Sequence, residues 1–418
     1  MAMKGNDSFR ILLVSIITPL YLVFLWFAFR PLIGEIFFRQ MNEKDLLSAA
    51  SFDNKNATYR YILGRFYHYG SDATNINRAI DYYRSSLRLS PLQEGCWLDL
   101  SKAYQIAGLT KNAETALEKA LVLNPNNPEI MWEAGIFFLT EGNVEKAVKV
   151  LKKFILLRSE RQEDIYDIFW KLQLEPHYIL KNLVPDFYPY YKRYLFYLIS
   201  TERITESKEL WERLENLPME DELFLRYIDF LISKRLYDEA EKIWEIFVDK
   251  KFKEKREDKP SLPWNGGFEH DIQNSGFDWR IGRAKGVQVF LDRDVRISGD
   301  RSLGVKFDGT ENPDITIASQ IVRVVPKAKY LLRGYIKVNS LTTTNGLFLS
   351  VDGHDCKDFS KRSEVVTGTN FWRELSIEFD APPDCNAISV NIRREKSQKL
   401  NNKISGIAWI DEINLTQR

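Results

Sequence analysis

Few side chains in this sequence are spaced for bond-making chemistry. The four histidines, His68, His177, His270 and His354, show neither HExxH nor another ligand pairing. No P-loop, no GxGxxG after a strand and no GxSxG elbow occurs. Glu374 and Glu378 form a carboxylate pair of the kind glycoside hydrolysis uses, yet alternation puts both on one solvated strand face without a pocket. No enzyme is expected. What remains is the chemistry of recognition. A sugar is held by rings lying flat on pyranose faces and by polar groups that reach its hydroxyls. If Leu332, Ile336 and Val338 point inward, Arg333 and Tyr335 point outward. By the same parity Phe348 opposes Leu349, and Asn391 and Arg393 oppose Ile392. These five are glycan-face candidates, with Trp279 added from a loop, whereas Trp372 and Trp409 are assigned to sandwich packing. A second aromatic set lies in 187–197, FYPYYKRYLFY. Helical spacing puts Tyr190, Tyr194 and Tyr197 on one side and Phe187, Tyr191 and Leu198 on another. The three tyrosines either fill interfaces within a helical stack or dock a partner segment.

The elements that must position these groups follow from periodicity. Trp97, Leu100, Tyr104, Gly108, Ala113, Leu117 and Ala120 are echoed 34 residues later by Met131, Ala134, Phe138, Gly142, Ala147, Leu151 and Phe154. A fixed period of that length signals stacked helical hairpins, because one hairpin cannot bury its own apolar face. Leu63, Gly64, Tyr67, Ala79, Tyr83 and Pro91 give an earlier unit with three extra residues around Ser71 to Asn75. Register is lost after Ser159, although Ile165, Phe169, Trp170 and Leu172 still suggest an amphipathic helix. Two divergent units follow, marked by Tyr191, Leu195, Ser207, Trp211 and Leu214, then Phe224, Ile228, Ala240, Trp244 and Phe247.

The remaining segments bound these repeats. Residues 1–10 carry Lys4 and Arg10, and residues 11–29 form an uncharged run long enough to cross a membrane. A secretory signal peptide is the rival, but the run exceeds a usual apolar core and lacks a small-x-small cleavage site. An uncleaved anchor is expected, with a cytoplasmic amino terminus and residues 30–56 as a connecting helix or linker. The repeats occupy 57–250 and a charged linker 251–262. Over 263–418 the period switches to two, as in Leu303, Val305 and Phe307 or Leu375, Ile377 and Phe379. Eight or nine short strands in an antiparallel sandwich are expected. Net charge is +1, so no global field recruits nucleic acid. Cys96 reads as a small buried hydrophobe, while Cys356 and Cys385, 29 apart, pair if this part meets an oxidising compartment.

The repeat pattern resembles the tetratricopeptide repeat family, which implies a superhelical stack, a groove lined by first helices and protein partners. In the C-terminal part the order Pro263-Trp264-Asn265-Gly266-Gly267-Phe268-Glu269, Gly276-Phe277-Asp278-Trp279, Ser298-Gly299-Asp300-Arg301, Gly368-Thr369-Asn370-Phe371-Trp372 and Trp409-Ile410-Asp411-Glu412 is similar to jelly-roll carbohydrate-binding modules. That likeness implies a structural calcium on Glu269 and Asp411, the alternative being surface carboxylates near a sheet edge. It also implies a polysaccharide ligand or, equally for such folds, a protein contact. The expected fold class is therefore multidomain: a transmembrane helix, an all-α tetratricopeptide-like solenoid and an all-β jelly-roll sandwich. The combination looks like proteins of bacterial exopolysaccharide and O-antigen assembly. It implies a single-pass inner-membrane scaffold with its bulk in the periplasm; a cell-envelope glycan receptor is the alternative.

Overall fold

In the computed structural model the described residues are 5–70, 75–252, 262–400 and 402–418, with side chains from Leu12 onward. Most of the charged 251–262 segment, and most of the insertion near Ser71, lie outside them. The chain divides into two compact units, Met1–Trp211 and Glu212–Arg418.

The first unit begins with α1 (Gly5–Phe38) and α2 (Glu43–Phe52). Three hairpins follow: α3 (Ala57–Tyr69) with α4 (Ile76–Leu89), α5 (Glu94–Ile106) with α6 (Thr110–Leu123), and α7 (Pro128–Thr140) with α8 (Val144–Leu157). Every boundary of α5 and α6 recurs 34 residues later in α7 and α8. The causes recur too. Gly108 and Gly142 turn each hairpin at φ +70 and +75, values that cost a side-chain-bearing residue about 1 kcal/mol. Asn75, Asn127 and Asn143 cap following helices by accepting main-chain N–H groups. Ala79, Ala113 and Ala147, all fully buried, let second helices approach the first. Gly64, Ser101 and Gly135 hold a matching small position: a Cβ on Gly135 would lie 2.4 Å from Leu151. The next two units keep the turn without the glycine, with Glu202 at φ +58 and Arg235 at φ +59. Gly108→Ala should therefore lower stability by about 1 kcal/mol and Arg235→Gly raise it by a fraction of that, read as opposite shifts in chemical-denaturation midpoint.

Between the third hairpin and the next, period is lost in α9 (Gln162–Lys171), α10 (Pro176–Tyr178) and a π-turn over Ile179–Leu183. Leu172 falls just beyond α9 and is exposed, whereas Ile165 and Phe169 are buried. Then come α11 (Tyr188–Ser200) and α12 (Ile204–Leu214). The apolar stretch of α1 runs on through Pro31 rather than stopping at Phe29. Leu12–Phe38 is long and apolar enough to cross a membrane. Its far end packs: Arg30 donates to the Ser51 carbonyl at 2.6 Å, and Phe37 stacks on Phe52.

The second unit carries α13 (Asp221–Ser233) and α14 (Tyr237–Phe252), then ten strands. They are β1 (Arg280–Ile281), β2 (Val287–Asp292), β3 (Ser302–Asp308), β4 (Ile315–Arg323), β5 (Lys329–Leu341), β6 (Phe348–Gly353), β7 (Ser360–Arg362), β8 (Gly368–Asp380), β9 (Ala387–Arg394) and β10 (Ser405–Gln417). Two antiparallel five-stranded sheets, ordered β1-β4-β9-β6-β7 and β2-β3-β10-β5-β8, face one another. Leu303, Val305, Leu332, Ile336, Val390 and Ile410 are among the alternating residues that fill the space between them. The helical pair belongs to this unit. Asp229 accepts from the Ser275 hydroxyl at 2.6 Å, Gly276 N at 2.9 Å and Arg280 at 2.9 Å. Arg323 reaches Asp238 and Glu241, and Trp244 sits against Gly276, Trp264 and Phe277.

Candidate functional site

The six glycan candidates do not form one site. Strand parity is right for most of them, but parity does not say which sheet a strand joins. Arg333 and Tyr335 lie outward on β5, where Glu374 of β8 takes an ion pair from Arg333 at 3.5 Å and the Tyr335 hydroxyl at 3.1 Å. Phe348, Asn391 and Arg393 belong to the opposite sheet. Phe348 is buried there with the Arg362 guanidinium 5.9 Å from its ring centroid. Asn391 is also buried, donating to Asp352 at 2.7 Å and to Ser350 at 3.3 Å. Arg393 pairs with Asp314 at 3.3 Å. Trp279 is 0% exposed and donates its indole N–H to the Asn265 carbonyl, so its ring is core and offers no face to a sugar. Glu374 and Glu378 lie on the exposed face of β8, and Glu378 pairs with Arg418.

Beside Trp279, Asp278 is wholly buried and accepts from the main-chain N–H of Gln273 and of Trp279. Burial pushes its carboxyl up to about 6, against the pull of those hydrogen bonds. The folded state then holds an extra proton between the ordinary carboxylate range and pH 6. This residue's contribution therefore falls as pH rises through that window, by on the order of 2–3 kcal/mol. Burial pushes Asp411 of the same unit up to about 6 as well, so unfolding of residues 212–418 across pH 4–7 reads both carboxyls, and Asp278→Asn should remove about half of the slope.

A different row crosses the outer face of the β2-β3-β10-β5-β8 sheet. Phe290 of β2 stands opposite Gly304 of β3, and its ring covers that glycine so closely that a Cβ would lie 2.5 Å away. Gly304 also stands opposite Trp409 of β10, and Trp409 opposite Lys337 of β5. The Lys337 ammonium lies 5.6 Å from the Trp409 ring centroid, and the Trp409 indole N–H donates to Asp292 at 2.7 Å. Across Lys337 the register of β8 shifts between Arg373 and Asn370, and Phe371 stands at the shift, 90% exposed. Trp409, Lys337, Asn339, Asn370 and Phe371 surround a cleft of about 290 Å³. One open ring, Phe371, with two amides and a cation there matches what a sugar surface needs, while Trp409, 9% exposed, backs the cleft beside Lys337. The sequence held half of this signal, since inward Ala408 and Ile410 turn Trp409 outward. The bulge that turns Phe371 out breaks parity and leaves no such sign.

Glu269 and Asp411 clamp the 297–301 turn. Asp411, wholly buried, accepts from the N–H of Ile297 at 2.8 Å, Ser298 at 3.4 Å and Glu412 at 2.8 Å. Glu269 accepts from the N–H of Asp300 at 2.9 Å and Arg301 at 3.4 Å. Calcium takes six to eight oxygens. Here both carboxylates are turned to N–H donors, and among the described residues neither joins a cluster of three ligand-bearing side chains. As proposed calcium ligands the two bring hard oxygens to this turn, with the Asp411 and Glu412 carboxylates both reaching the neighbourhood of Gly267 beside Glu269. The cluster that does occur, Asp355 with Cys356 and Cys385, has its sulfurs joined in a disulfide.

The tyrosine set divides as well. Tyr194 and Tyr197 are buried with Tyr166, whose ring centroid lies 4.6 and 5.4 Å from theirs, and the Tyr197 hydroxyl donates to Asp167. They are stack interior rather than docking surface; Tyr190 is half-buried. Sequence reasoning missed a richer surface on the first helices. Tyr61, Arg65 and Tyr69 follow each other at four-residue spacing along α3. Asp99 of α5 accepts from the Tyr61 hydroxyl at 2.8 Å and the Tyr69 hydroxyl at 3.0 Å, and meets Arg65 at 3.6 Å. Lys102 pairs with Glu133 at 2.9 Å, and Arg161 lies over Trp132. Rings and charges thus run from one first helix to the next.

Comparison with known proteins agrees with the helical reading. The tetratricopeptide repeat profile matches residues 95–127. Superkiller protein 3 of Schizosaccharomyces pombe is 29% identical over 89 residues, which are 21% of this chain and 6% of that protein. The chain therefore spans a small fraction of that relative. Among solved structures, the crystal structure of MamA is similar at 16% identity over 53% of this chain and 95% of that one, with a TM-score of 0.26. TmCBM61 in complex with β-1,4-galactotriose is similar at 17% identity over 38% of this chain and all of that one, with a TM-score of 0.28.

Proposed function

We propose that this protein is a non-catalytic scaffold that binds protein partners through its helical repeats while anchored in a membrane by residues 11–29. The repeated hairpin carries the reading. A stack at a constant 34-residue offset presents side chains of successive first helices at fixed intervals, which is how an extended segment is held. The anchor rests on the apolar stem of α1. A bacterial inner-membrane location with the bulk in the periplasm, in exopolysaccharide or envelope assembly, is the finer form of this proposal. The Cys356–Cys385 disulfide supports export, because such bonds persist in oxidising compartments. Crosslinking in native membranes tests the scaffold. Partners captured by the intact chain should be lost on Arg65→Glu with Lys102→Glu, and capture unaffected by that pair would remove the first-helix face from the account.

The cleft at Phe371 favours a second reading, a glycan receptor. Residues 212–418, titrated with cell-envelope polysaccharides, should then bind. Phe371→Ala with Trp409→Ala should weaken that binding by about 2 kcal/mol or more, roughly thirtyfold, while Tyr335→Ala changes it little. Absence of binding to every glycan tried leaves the scaffold alone.

A further inference from the structure

One edge of the first unit combines exposed apolar side chains with unpaired cations. The ends of α4, α6 and α8 and the starts of α3, α5 and α7 meet along it. Ser86 donates to the Ala57 carbonyl at 2.8 Å, Trp97 to the Pro91 carbonyl at 2.8 Å, and Lys153 to the Pro125 carbonyl at 2.7 Å. The stem leaves from the same edge, since Arg30 is tied to Ser51 and the α2–α3 loop lies alongside. Along this edge Leu92 is 74% and Val122 77% exposed, joined by Leu89, Leu156 and Leu157. A crevice of about 340 Å³ between α4 and α6 over α5 runs from Arg88 and Trp97 at this edge towards Tyr104 and Asn112 near the opposite one. Its floor is Leu87, Leu100, Trp97 and Tyr104, and its mouth carries Arg84 and Arg88. Among the described residues neither guanidinium has a carboxylate partner, and no acidic side chain lines the crevice.

Two unpaired guanidiniums over an apolar floor suit an amphiphile with an anionic head, and the exposed rim lies on the edge from which the apolar stem leaves. We propose that the α4–α5–α6 crevice takes an anionic phospholipid headgroup, with Leu92 and Val122 entering the lipid interface around the stem. This rests on the reading that the stem spans a bilayer. Docking laid down in this way fixes the repeat stack against the membrane instead of leaving it to swing on α1.

The test uses the full chain in vesicles of phosphatidylcholine alone or with an equal part of phosphatidylglycerol. Cys96 is buried and the other two cysteines are bonded, so single spin labels are selective. Labels go on Leu92→Cys at the rim, Ile106→Cys at the far end of α5 and Phe24→Cys in the stem. The Leu92 label should gain lipid-phase oxygen accessibility when phosphatidylglycerol is present, while the Ile106 label stays in water and the Phe24 label stays in lipid throughout. Arg84→Gln with Arg88→Gln should lower the docked-to-free ratio by roughly thirtyfold, at about 1 kcal/mol per cation. Both side chains are exposed, so the thermal transition should not move. A Leu92 label in water in both vesicles, or docking indifferent to the double variant, overturns the lipid site. A Phe24 label in water with Leu92 in lipid instead overturns the span and leaves the lipid site standing.

Discussion

Trp244→Ala is expected to lower the stability of residues 212–418 by about 4 kcal/mol, within the range for deleting a fully buried tryptophan. The side chain is 1% exposed and its ring meets Phe247 at 5.4 Å, Trp264 at 6.2 Å and Phe277 at 6.3 Å. Gly276 makes the site possible: at φ +60 it tucks under the indole, where a Cβ would lie 2.6 Å from the ring. Truncation thus removes the wedge between α14 and the start of the sandwich, and no neighbouring backbone is free to collapse into the space. Loss should exceed simple destabilisation, because α13 and α14 would then be held only at their margins, by Asp229, Arg323, Tyr237 against His354 and Phe252 against Trp264. Urea unfolding followed by amide exchange should show Ile228 and Phe247 exchanging before the strands do. An unchanged midpoint would show that Trp244 carries none of the contact, and one cooperative loss with no early exchange in α13 would show that other contacts suffice to couple the pair to the sandwich.

That dependence was not legible in the sequence. Ala240, Trp244 and Phe247 read as one more repeat, and by helical period they are one. What periodicity cannot show is a partner that lies outside the helix. The outward ring of Trp264 and the glycine at 276 belong to segments whose own pattern is irregular, so no alternation flags them as half of an interface. Elsewhere the repeat signal was sufficient. Gly108 with Gly142, and Ala113 with Ala147, fix the turn and the closest helix approach, and those two constraints determine a hairpin. After Arg158 the same cues vanish, and an irregular connection with a π-turn replaces the hairpin.

The sandwich shows the same division. Alternation correctly separates inward Leu332, Leu349, Ile377 and Ile392 from their neighbours. It cannot pair β5 with β10 and β6 with β9, because strand order in an antiparallel sandwich is set by long connections rather than by composition. Parity alone therefore groups Arg333 and Tyr335 with Phe348, Asn391 and Arg393, which lie on two different sheets. Two very short strands, β1 and β7, also fall below what a period of two can register, which explains ten strands where eight or nine were expected. Phe371 is legible only after the register shift in β8 is known.

Replacing Cys356 and Cys385 by serine should cost the same unit about 3.5 kcal/mol, the chain-entropy value for a loop of this length. The two cysteines are 29 residues apart, and the bond pins Cys356, which directly follows His354 and Asp355, to the turn before β9. The local gain is specific. Asp355 accepts from the N–H of Asn386 and of Ala387, both at 3.0 Å, and His354 stands edge-on to Tyr237 of α14. Cutting the crosslink frees this segment and loosens a contact with the helix that Trp244 anchors, so the two changes should be less than additive when combined. Unfolding under oxidising and reducing conditions measures the effect without mutation, and the double serine variant should be blind to reductant. Equal stability with and without reductant would mean that the thiols are not bonded in solution, and the support for an exported location would go with it.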